Sequence, residues 1–131
     1  MIGMRRTYTL AEGIGALRPA SQWAIRDNDY SQLEWYSNDT PPSLEEIQVK
    51  ITELEAIEPM RVVREIRDWY LQSTDWTQVQ DLRAIRGAEW CAAWDTYRQQ
   101  LRDITVSGIE PYFNDMNMIQ GFEWPPKPSL Q

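Results

Sequence analysis

The sequence lacks histidine altogether and contains a single cysteine, Cys91. Because histidine is the usual proton shuttle and metal ligand near neutral pH, its absence excludes most routes to acid–base catalysis and leaves every common zinc, copper or haem pattern incomplete. Serine and threonine nucleophiles lack the imidazole that usually activates them. One cysteine cannot form an intramolecular disulfide, which is compatible with a reducing compartment. We therefore expect no catalytic residue, no metal ligand and no cofactor.

Two chemical routes stay open in principle, a serine–lysine pair and paired carboxylates, since the chain has Lys50, Lys127 and twenty acidic residues. The acids concentrate on a predicted solvated helix face and do not flank a predicted cleft, which argues against both routes. Gly13 and Gly15 form a G-x-G without a preceding strand or a third glycine, so they do not indicate a phosphate-binding loop. The sequence favours a protein that is not an enzyme.

Clustered positive charge and long apolar runs are also missing. The net charge is −7, which argues against binding to nucleic acid or to anionic membranes, because both reward clustered Lys and Arg. The first ten residues carry Arg5 and Arg6 with no apolar run behind them, so neither a signal peptide nor a membrane-spanning helix is expected. We expect a soluble protein that stays inside the cell that makes it.

Aromatic residues are what the chain has in abundance. Seven Trp and six Tyr occur among 131 residues, and these residue types dominate buried cores and binding hot spots. The length suits one compact domain, or a small domain with an appended arm, that buries a core without disulfides or metal. The composition therefore indicates recognition of another polypeptide instead of chemistry.

The first 40 residues are predicted to form a small αββ unit. Thr9 and Glu12 have the spacing of a capping box, which predicts a short helix over residues 10–17. Aromatic-rich runs around Trp23 and Trp35, separated by a turn-forming stretch, predict a β-hairpin with an aromatic cross-strand pair. An isolated hairpin is only marginally stable, so it has to pack on the helices or on another chain.

Residues 41–104 are predicted to be helical. Ser43 and Glu46 form a second capping box at the start of a long helix, and Pro59 is expected to break that helix by a kink or a restart. A final amphipathic helix over residues 86–103 is predicted to complete a helical hairpin. Its aromatic face is interpreted as core in preference to an exposed partner groove, and consists of Trp90, Trp94, Tyr97 and Leu101.

Residues 105–131 are predicted to form an extended, proline-rich C-terminal tail, because helical periodicity is lost and three prolines follow Trp124. Such a tail cannot form a core of its own, so Phe122 and Trp124 need another surface. Taken together, these segments predict an α+β fold that is mainly helical.

Three stretches carry a resemblance to a known family. The segment RDWYLQSTDWTQ at residues 67–78 is similar to the signature RDxLLxxTDWTQ, and WDTYRQQLRDI at residues 94–104 is similar to WxxYRQALRDI. The closing FEWPPKP at residues 122–128 is similar to a terminal WPxxP. The three signatures are those of bacteriophage tail assembly chaperone and tail-fibre assembly proteins, and their combination is specific where each alone is weak.

The resemblance implies a non-enzymatic protein that binds a phage tail-fibre polypeptide in the host cell cytoplasm and assists its folding, trimerisation or attachment. Binding to the fibre would form a hetero-oligomer, and a homo-oligomer stays open. We expect the helical hairpin to be held together by Asp75, Trp76, Trp94, Tyr97 and Arg98. The expected partner-binding residues are Trp23, Trp35, Phe122 and Trp124.

Two other functions stay open. The protein is alternatively a permanent structural part of the virion, such as a fibre connector or a small tail subunit, because the same aromatic surfaces would serve that role. A more remote alternative is an acidic mimic that blocks a host nucleic-acid-binding protein. It requires the acids to form one coherent face, and the arginines at 61, 64 and 67 argue against that.

Overall fold

The computed structural model describes residues 2–129. Over these residues the chain forms four α-helices and two small antiparallel strand pairs, and about 55% of it is helical, which confirms a mainly helical α+β fold. The helices are α1 (Leu10–Leu17), α2 (Leu44–Ser73), α3 (Gln80–Arg86) and α4 (Ala88–Asp103). The strands are β1 (Trp23–Ala24), β2 (Glu34–Trp35), β3 (Tyr112–Phe113) and β4 (Ile119–Gln120).

The chain divides into two compact units. One comprises Arg6–Glu58 and is called the N-terminal unit below. The other combines Met1–Arg5 with Pro59–Gln131 and is called the C-terminal unit. The division falls inside α2, so this helix contributes its first half to one unit and its second half to the other.

The N-terminal unit is built on the contact between α1 and the first half of α2. Helix α1 begins at Leu10 as the sequence predicts, and the Glu12 carboxylate accepts hydrogen bonds from both the backbone N–H and the hydroxyl of Thr9. Ile14 and Ile47 are fully buried. Gly13 lies against Ile47 so closely that no side chain fits between the helices. The core of this unit therefore depends on a residue without a Cβ atom.

Strands β1 and β2 form the predicted hairpin in the same unit. They pair antiparallel with Trp23 directly opposite Trp35. A 3-10 turn at Tyr30–Gln32 joins them, and the Tyr30 hydroxyl donates a hydrogen bond to the Pro42 carbonyl at 2.8 Å. The hairpin is thereby attached to the segment that leads into α2.

Helix α2 continues through Pro59, so the predicted restart at that residue is wrong, and the predicted kink stays a prediction. Proline removes one backbone donor, and a long helix tolerates this loss because the remaining turns keep their hydrogen bonds. The helical turn before Pro59 is anchored by the buried Glu58 carboxylate. This carboxylate accepts hydrogen bonds from the Arg6 N–H at 2.8 Å and the Tyr8 hydroxyl at 2.6 Å. The predicted capping box at its start is present, since Glu46 N–H donates to Ser43 Oγ at 3.1 Å.

Two elements of the C-terminal unit are not foreseen by the sequence analysis. Helix α3 precedes the final helix, and Gly87, with a φ of 92°, separates it from α4, which therefore begins at Ala88 and not at residue 86. Strands β3 and β4 form a second hairpin inside the segment expected to be an extended tail. The residues after this hairpin, up to residue 129, have no regular secondary structure.

We predict that Gly13→Ala destabilises the N-terminal unit. An ideal Cβ at this position would lie 2.8 Å from Ile47 Cγ2 and 3.3 Å from the Ile47 carbonyl oxygen. Overpacking of this kind costs about 1–3 kcal/mol of unfolding free energy, which urea denaturation measures.

Gly15→Ala is the matched control, because it adds the same methyl group to the same helix with nothing within 4 Å of it. Alanine is favoured over glycine inside a helix by about 1 kcal/mol, so this variant should be slightly more stable than the wild type. Equal behaviour of the two variants would show that the contact of α1 with α2 is not close-packed.

Candidate functional site

A cluster of aromatic rings forms the core of the C-terminal unit. Trp90, Trp94, Tyr97 and Leu101 are buried on one face of α4, as expected for a core stripe. The ring centroids of Trp90 and Trp94 are 6.2 Å apart, and those of Trp94 and Tyr97 are 5.8 Å apart in an edge-to-face arrangement. Burial, and then the neighbouring Tyr70, raise the pKa of Tyr97 above its ordinary value of 10.0, so its hydroxyl stays neutral.

Trp76 covers the outer side of this cluster. It belongs to the 3-10 turn Asp75–Gln78, and its ring lies 5.5 Å from that of Trp94 and 6.0 Å from that of Trp90. Unlike these two rings, Trp76 keeps 48% of its surface exposed. Among the described residues, the buried indole N–H groups of Trp90 and Trp94 have no hydrogen-bond acceptor. Ring packing, and not hydrogen bonding, therefore holds these indoles.

Arg98, a residue of α4, binds both the end of α2 and the turn after it, which carries Trp76. It is 7% exposed, and its Nη1 donates to the Leu71 carbonyl at 2.7 Å and to Thr74 Oγ1 at 2.8 Å. Its Nη2 donates to Asp75 Oδ1 at 2.9 Å. The structure thus brings Asp75, Trp76, Trp94 and Arg98 of the expected hairpin-holding set into one network, with Tyr97 packed against Trp94. Thr74 completes this network, although the sequence analysis did not single it out.

A second ion pair connects α3 to α4. Arg83 and Asp95 meet through two parallel hydrogen bonds, Nη1 to Oδ1 at 3.0 Å and Nη2 to Oδ2 at 2.8 Å. The hydrogen bond from Arg83, with a smaller contribution from Gln78, holds the pKa of Asp95 below its ordinary value of 3.8. This pair fixes the short helix that the sequence analysis missed.

The C-terminal segment packs back on the same unit. The Trp124 ring lies 5.2 Å from Tyr70 and 4.9 Å from Phe122, edge-to-face in both cases. Lys127 Nζ lies 5.9 Å from the centroid of the Trp94 ring. The surface that Phe122 and Trp124 require is therefore supplied in part by α2 of their own chain, and each ring stays only half-buried.

Trp23 and Trp35 lie in the N-terminal unit, where they face each other across the strand pair. Both are half-buried, and Trp35 Nε1 donates to the Asp39 carbonyl at 2.7 Å. The four expected partner-binding residues thus fall into two separate pairs, one in each unit. Their role in binding stays a prediction.

The hairpin of β3 and β4, called the C-terminal hairpin below, carries a surface that the sequence analysis missed. Its outward side chains Tyr112, Met116 and Met118 are 56%, 76% and 55% exposed. The signal that could have revealed it is the turn-forming run Asn114–Asn117 between two apolar pairs, a pattern typical of a hairpin.

Charge and apolar surface are unequally divided between the two units. The N-terminal unit has ten acidic and four basic residues, a net charge of −6, whereas the C-terminal unit has ten and nine, a net charge of −1. Most of the exposed large apolar side chains of the described residues belong to the nearly neutral C-terminal unit. They include Trp69, Trp76, Ile85, Tyr112, Met116 and Met118.

Over residues 2–129, no group of three or more His, Cys, Asp or Glu side chains is placed to hold a metal ion. A groove of about 280 Å³ beside the end of α4 is open to solvent and contains two acidic side chains, Asp103 and Glu123. Within the same described range, no helix is long and apolar enough to cross a membrane.

Comparison with protein families identifies the C-terminal unit. Residues 60–129, which include the aromatic cluster, the Arg98 network and the C-terminal hairpin, match the model of the phage tail assembly chaperone protein family. The chain belongs to this family. Comparisons with curated proteins and with solved structures gave no match. The resemblance inferred from residues 67–78, 94–104 and 122–128 is therefore confirmed, and the match supports a role in tail assembly.

We predict that Arg98→Lys lowers the free energy of unfolding by about 2 kcal/mol, because an ammonium group cannot reach the three acceptors that the guanidinium bridges. Urea denaturation followed by tryptophan fluorescence measures the loss, since Trp76 and Trp94 lie beside the network. Arg102→Lys is the control: Arg102 is exposed on the same helix and donates a hydrogen bond to Gln99 Oε1 at 3.2 Å. A similar loss in both variants would contradict the bridging role.

The Arg83–Asp95 pair predicts a pH dependence. Because the folded protein holds the pKa of Asp95 below 3.8, the pair stabilises the protein above the ordinary aspartate pKa, and this contribution is lost as the pH falls through the lowered value. Asp95→Asn should therefore be less stable than the wild type at neutral pH. The difference should vanish in strongly acidic solution, as thermal unfolding at a series of pH values measures. A difference that does not change with pH would refute the assignment.

Proposed function

We propose that this protein is a non-enzymatic tail-fibre assembly chaperone, which binds the fibre polypeptide in the host cytoplasm and assists its folding, trimerisation or attachment. The observation that carries the proposal is the family match to the C-terminal unit, the unit in which exposed apolar side chains coincide with almost no net charge. A surface of this kind suits an unfolded client, because fibre chains expose apolar side chains and strand edges before they trimerise.

The acidic N-terminal unit is proposed to keep the complex with the client soluble. A net charge far from zero keeps proteins soluble through mutual repulsion. The net charge of −6 in this unit would keep a complex soluble while the C-terminal unit covers an apolar client. The same charge disfavours nucleic acid and anionic membranes as partners, so the proposed partner is a polypeptide.

The two half-buried aromatic pairs are proposed to contact the fibre directly. Trp23 and Trp35 present their remaining exposed edges from the N-terminal hairpin, and Phe122 and Trp124 present theirs from the C-terminal segment. Rings that are already ordered by their own chain lose little conformational entropy on binding, which favours them as anchors. The resulting complex would be a hetero-oligomer with the fibre.

The proposal is tested by expressing the tail-fibre protein encoded nearby, with and without this chain, and measuring the yield of soluble trimer. We expect soluble trimer to fall several-fold without the chain, because exposed apolar segments of the fibre would then aggregate. Equal yields would refute the chaperone function. Quantitative mass spectrometry of purified particles completes the test, since a chaperone should be absent or substoichiometric and a permanent tail component present at a fixed copy number.

A further inference from the structure

We propose that the outer face of the C-terminal hairpin, formed by Tyr112, Met116 and Met118, binds an extended segment of the client in which apolar residues alternate with Lys or Arg. This inference rests on the proposed function and names the surface and the kind of segment that it recognises. The four residues expected to bind the tail fibre, three tryptophans and one phenylalanine, lie outside this face.

The pairing of the strands separates the hairpin into two faces. Tyr112 pairs with Gln120, and Phe113 pairs with Ile119. The Asn114 N–H donates to the Met118 carbonyl at 2.9 Å and extends the same ladder. Because side chains alternate along a strand, Phe113 and Ile119 point to one face and Tyr112, Met118 and Gln120 to the other. The exposed fractions follow this alternation.

The inner face is occupied by the protein itself. The Arg5 guanidinium lies 4.8 Å from the centroid of the Phe113 ring, and Arg5 Nη1 donates to Asn117 Oδ1 at 3.2 Å. The segment containing Arg5 is in turn attached to α2, because Gly3 N–H donates to Glu65 Oε1 at 2.7 Å. The inner face is thus covered in part by Arg5, whereas Tyr112, Met116 and Met118 are exposed.

The tip of the hairpin is held in a defined shape. Asn114 Oδ1 accepts hydrogen bonds from the backbone N–H groups of Met116 at 2.9 Å and Met118 at 3.0 Å. Asn117 N–H donates to the Asn114 carbonyl at 2.9 Å, and Asn117 adopts the left-handed conformation with a φ of 59°. The turn that carries both methionines is therefore ordered, and it displays them to solvent.

The outer face fits an extended segment. Tyr112 and Met118 are diagonal neighbours across the strand pair, a relation that separates side chains by roughly 7–8 Å. Alternate side chains of an extended polypeptide are spaced by about 7 Å, so two of them can contact Tyr112 and Met118 together. Methionine adapts its shape to different apolar side chains, and tyrosine supplies a rigid contact area. Such a face can accept related apolar segments without a fixed sequence.

The charged residues of the hairpin determine which sign of charge the partner segment should carry. Residues 110–120, which contain the hairpin, include two acids, Glu110 and Asp115, and no Lys or Arg. Arg5, a basic residue that contacts the hairpin, lies on its inner face. A segment with Lys or Arg between its apolar residues is attracted to these acids, whereas a second copy of the same face would be repelled.

The test uses the full chain with its methionine methyl groups labelled with carbon-13 and three ten-residue peptides. In the first, valine alternates with lysine; in the second, valine alternates with glutamate; in the third, serine alternates with lysine. We expect the first to shift the Met116 and Met118 signals saturably and each of the others to bind at least about tenfold more weakly. Equal affinity for the first two, or for the first and third, would overturn the proposal.

Two variants localise the binding. The double variant Met116→Ser, Met118→Ser should bind the valine–lysine peptide about tenfold more weakly, whereas Ile85→Ser, which alters a comparably exposed side chain on α3, should bind as the wild type does. Unchanged circular dichroism and melting temperature establish that each variant is folded. Wild-type affinity in the double variant would overturn the proposal.

The same variants separate this inference from the tail-fibre function. If the fibre needs the wild-type chain and the double methionine variant supports it equally well, the hairpin surface is wrong and the chaperone function stands. If fibre yield does not depend on the wild-type chain, the chaperone function is wrong, and the peptide titration still decides whether the hairpin binds extended basic segments. If the double variant loses fibre yield and peptide binding while Ile85→Ser keeps both, the two proposals are supported together.

Discussion

The buried guanidinium of Arg98 is the interaction on which the rest of the C-terminal unit depends. It comes from the middle of α4 and bonds to the last turn of α2, to Thr74 and to Asp75. Without it, the carbonyl of Leu71 would lose a charged donor, and the turn that positions Trp76 over Trp94 would lose its attachment to α4. A buried charge is tolerated only where hydrogen bonds replace its hydration. The position of the aromatic cluster is thus linked to one cation.

Local signals in the sequence predicted the elements that are fixed locally. The capping boxes at Thr9 and Ser43 placed the starts of α1 and α2, and the aromatic stripe of α4 indicated its buried face. Helix α3 and the C-terminal hairpin are short, and each is stabilised by residues distant in sequence: Asp95 holds α3, and Arg5 supports the hairpin from 112 residues away. Periodicity carries no information on such contacts. The restart expected at Pro59 does not occur, since the local preference of proline is outweighed by the rest of the helix.

Some of the site residues could likewise be predicted from the sequence, and others could not. Asp75, Trp76, Trp94 and Arg98 lie in or beside the two longest signature segments, and their mutual contacts could be anticipated because a family pattern combines residues that meet in space. Thr74 stands in the same segment as Asp75, yet its contact with Arg98 depends on the orientation of one hydroxyl. The exposure of Tyr112 and Met116 could not be read from their residue types, which are as common in cores as at interfaces. Only the pairing of the strands shows which face Tyr112 occupies, and only the folded turn shows that Met116 is exposed.

The outward apolar face of the C-terminal hairpin is not a consequence of loose packing. Gly121, with a φ of 97°, lets the chain leave β4 at a point where a Cβ would lie 2.6 Å from the Glu110 carbonyl oxygen. The backbone therefore approaches itself as closely as a residue without a side chain permits. Arg5 covers the inner ring of Phe113, and Asn114 fixes the turn. A hairpin so closely held on its inner side and at its tip has no local reason to expose two methionines and a tyrosine on its outer side. The proposed contact with another polypeptide would supply that reason, because it would remove these side chains from water in the assembled complex.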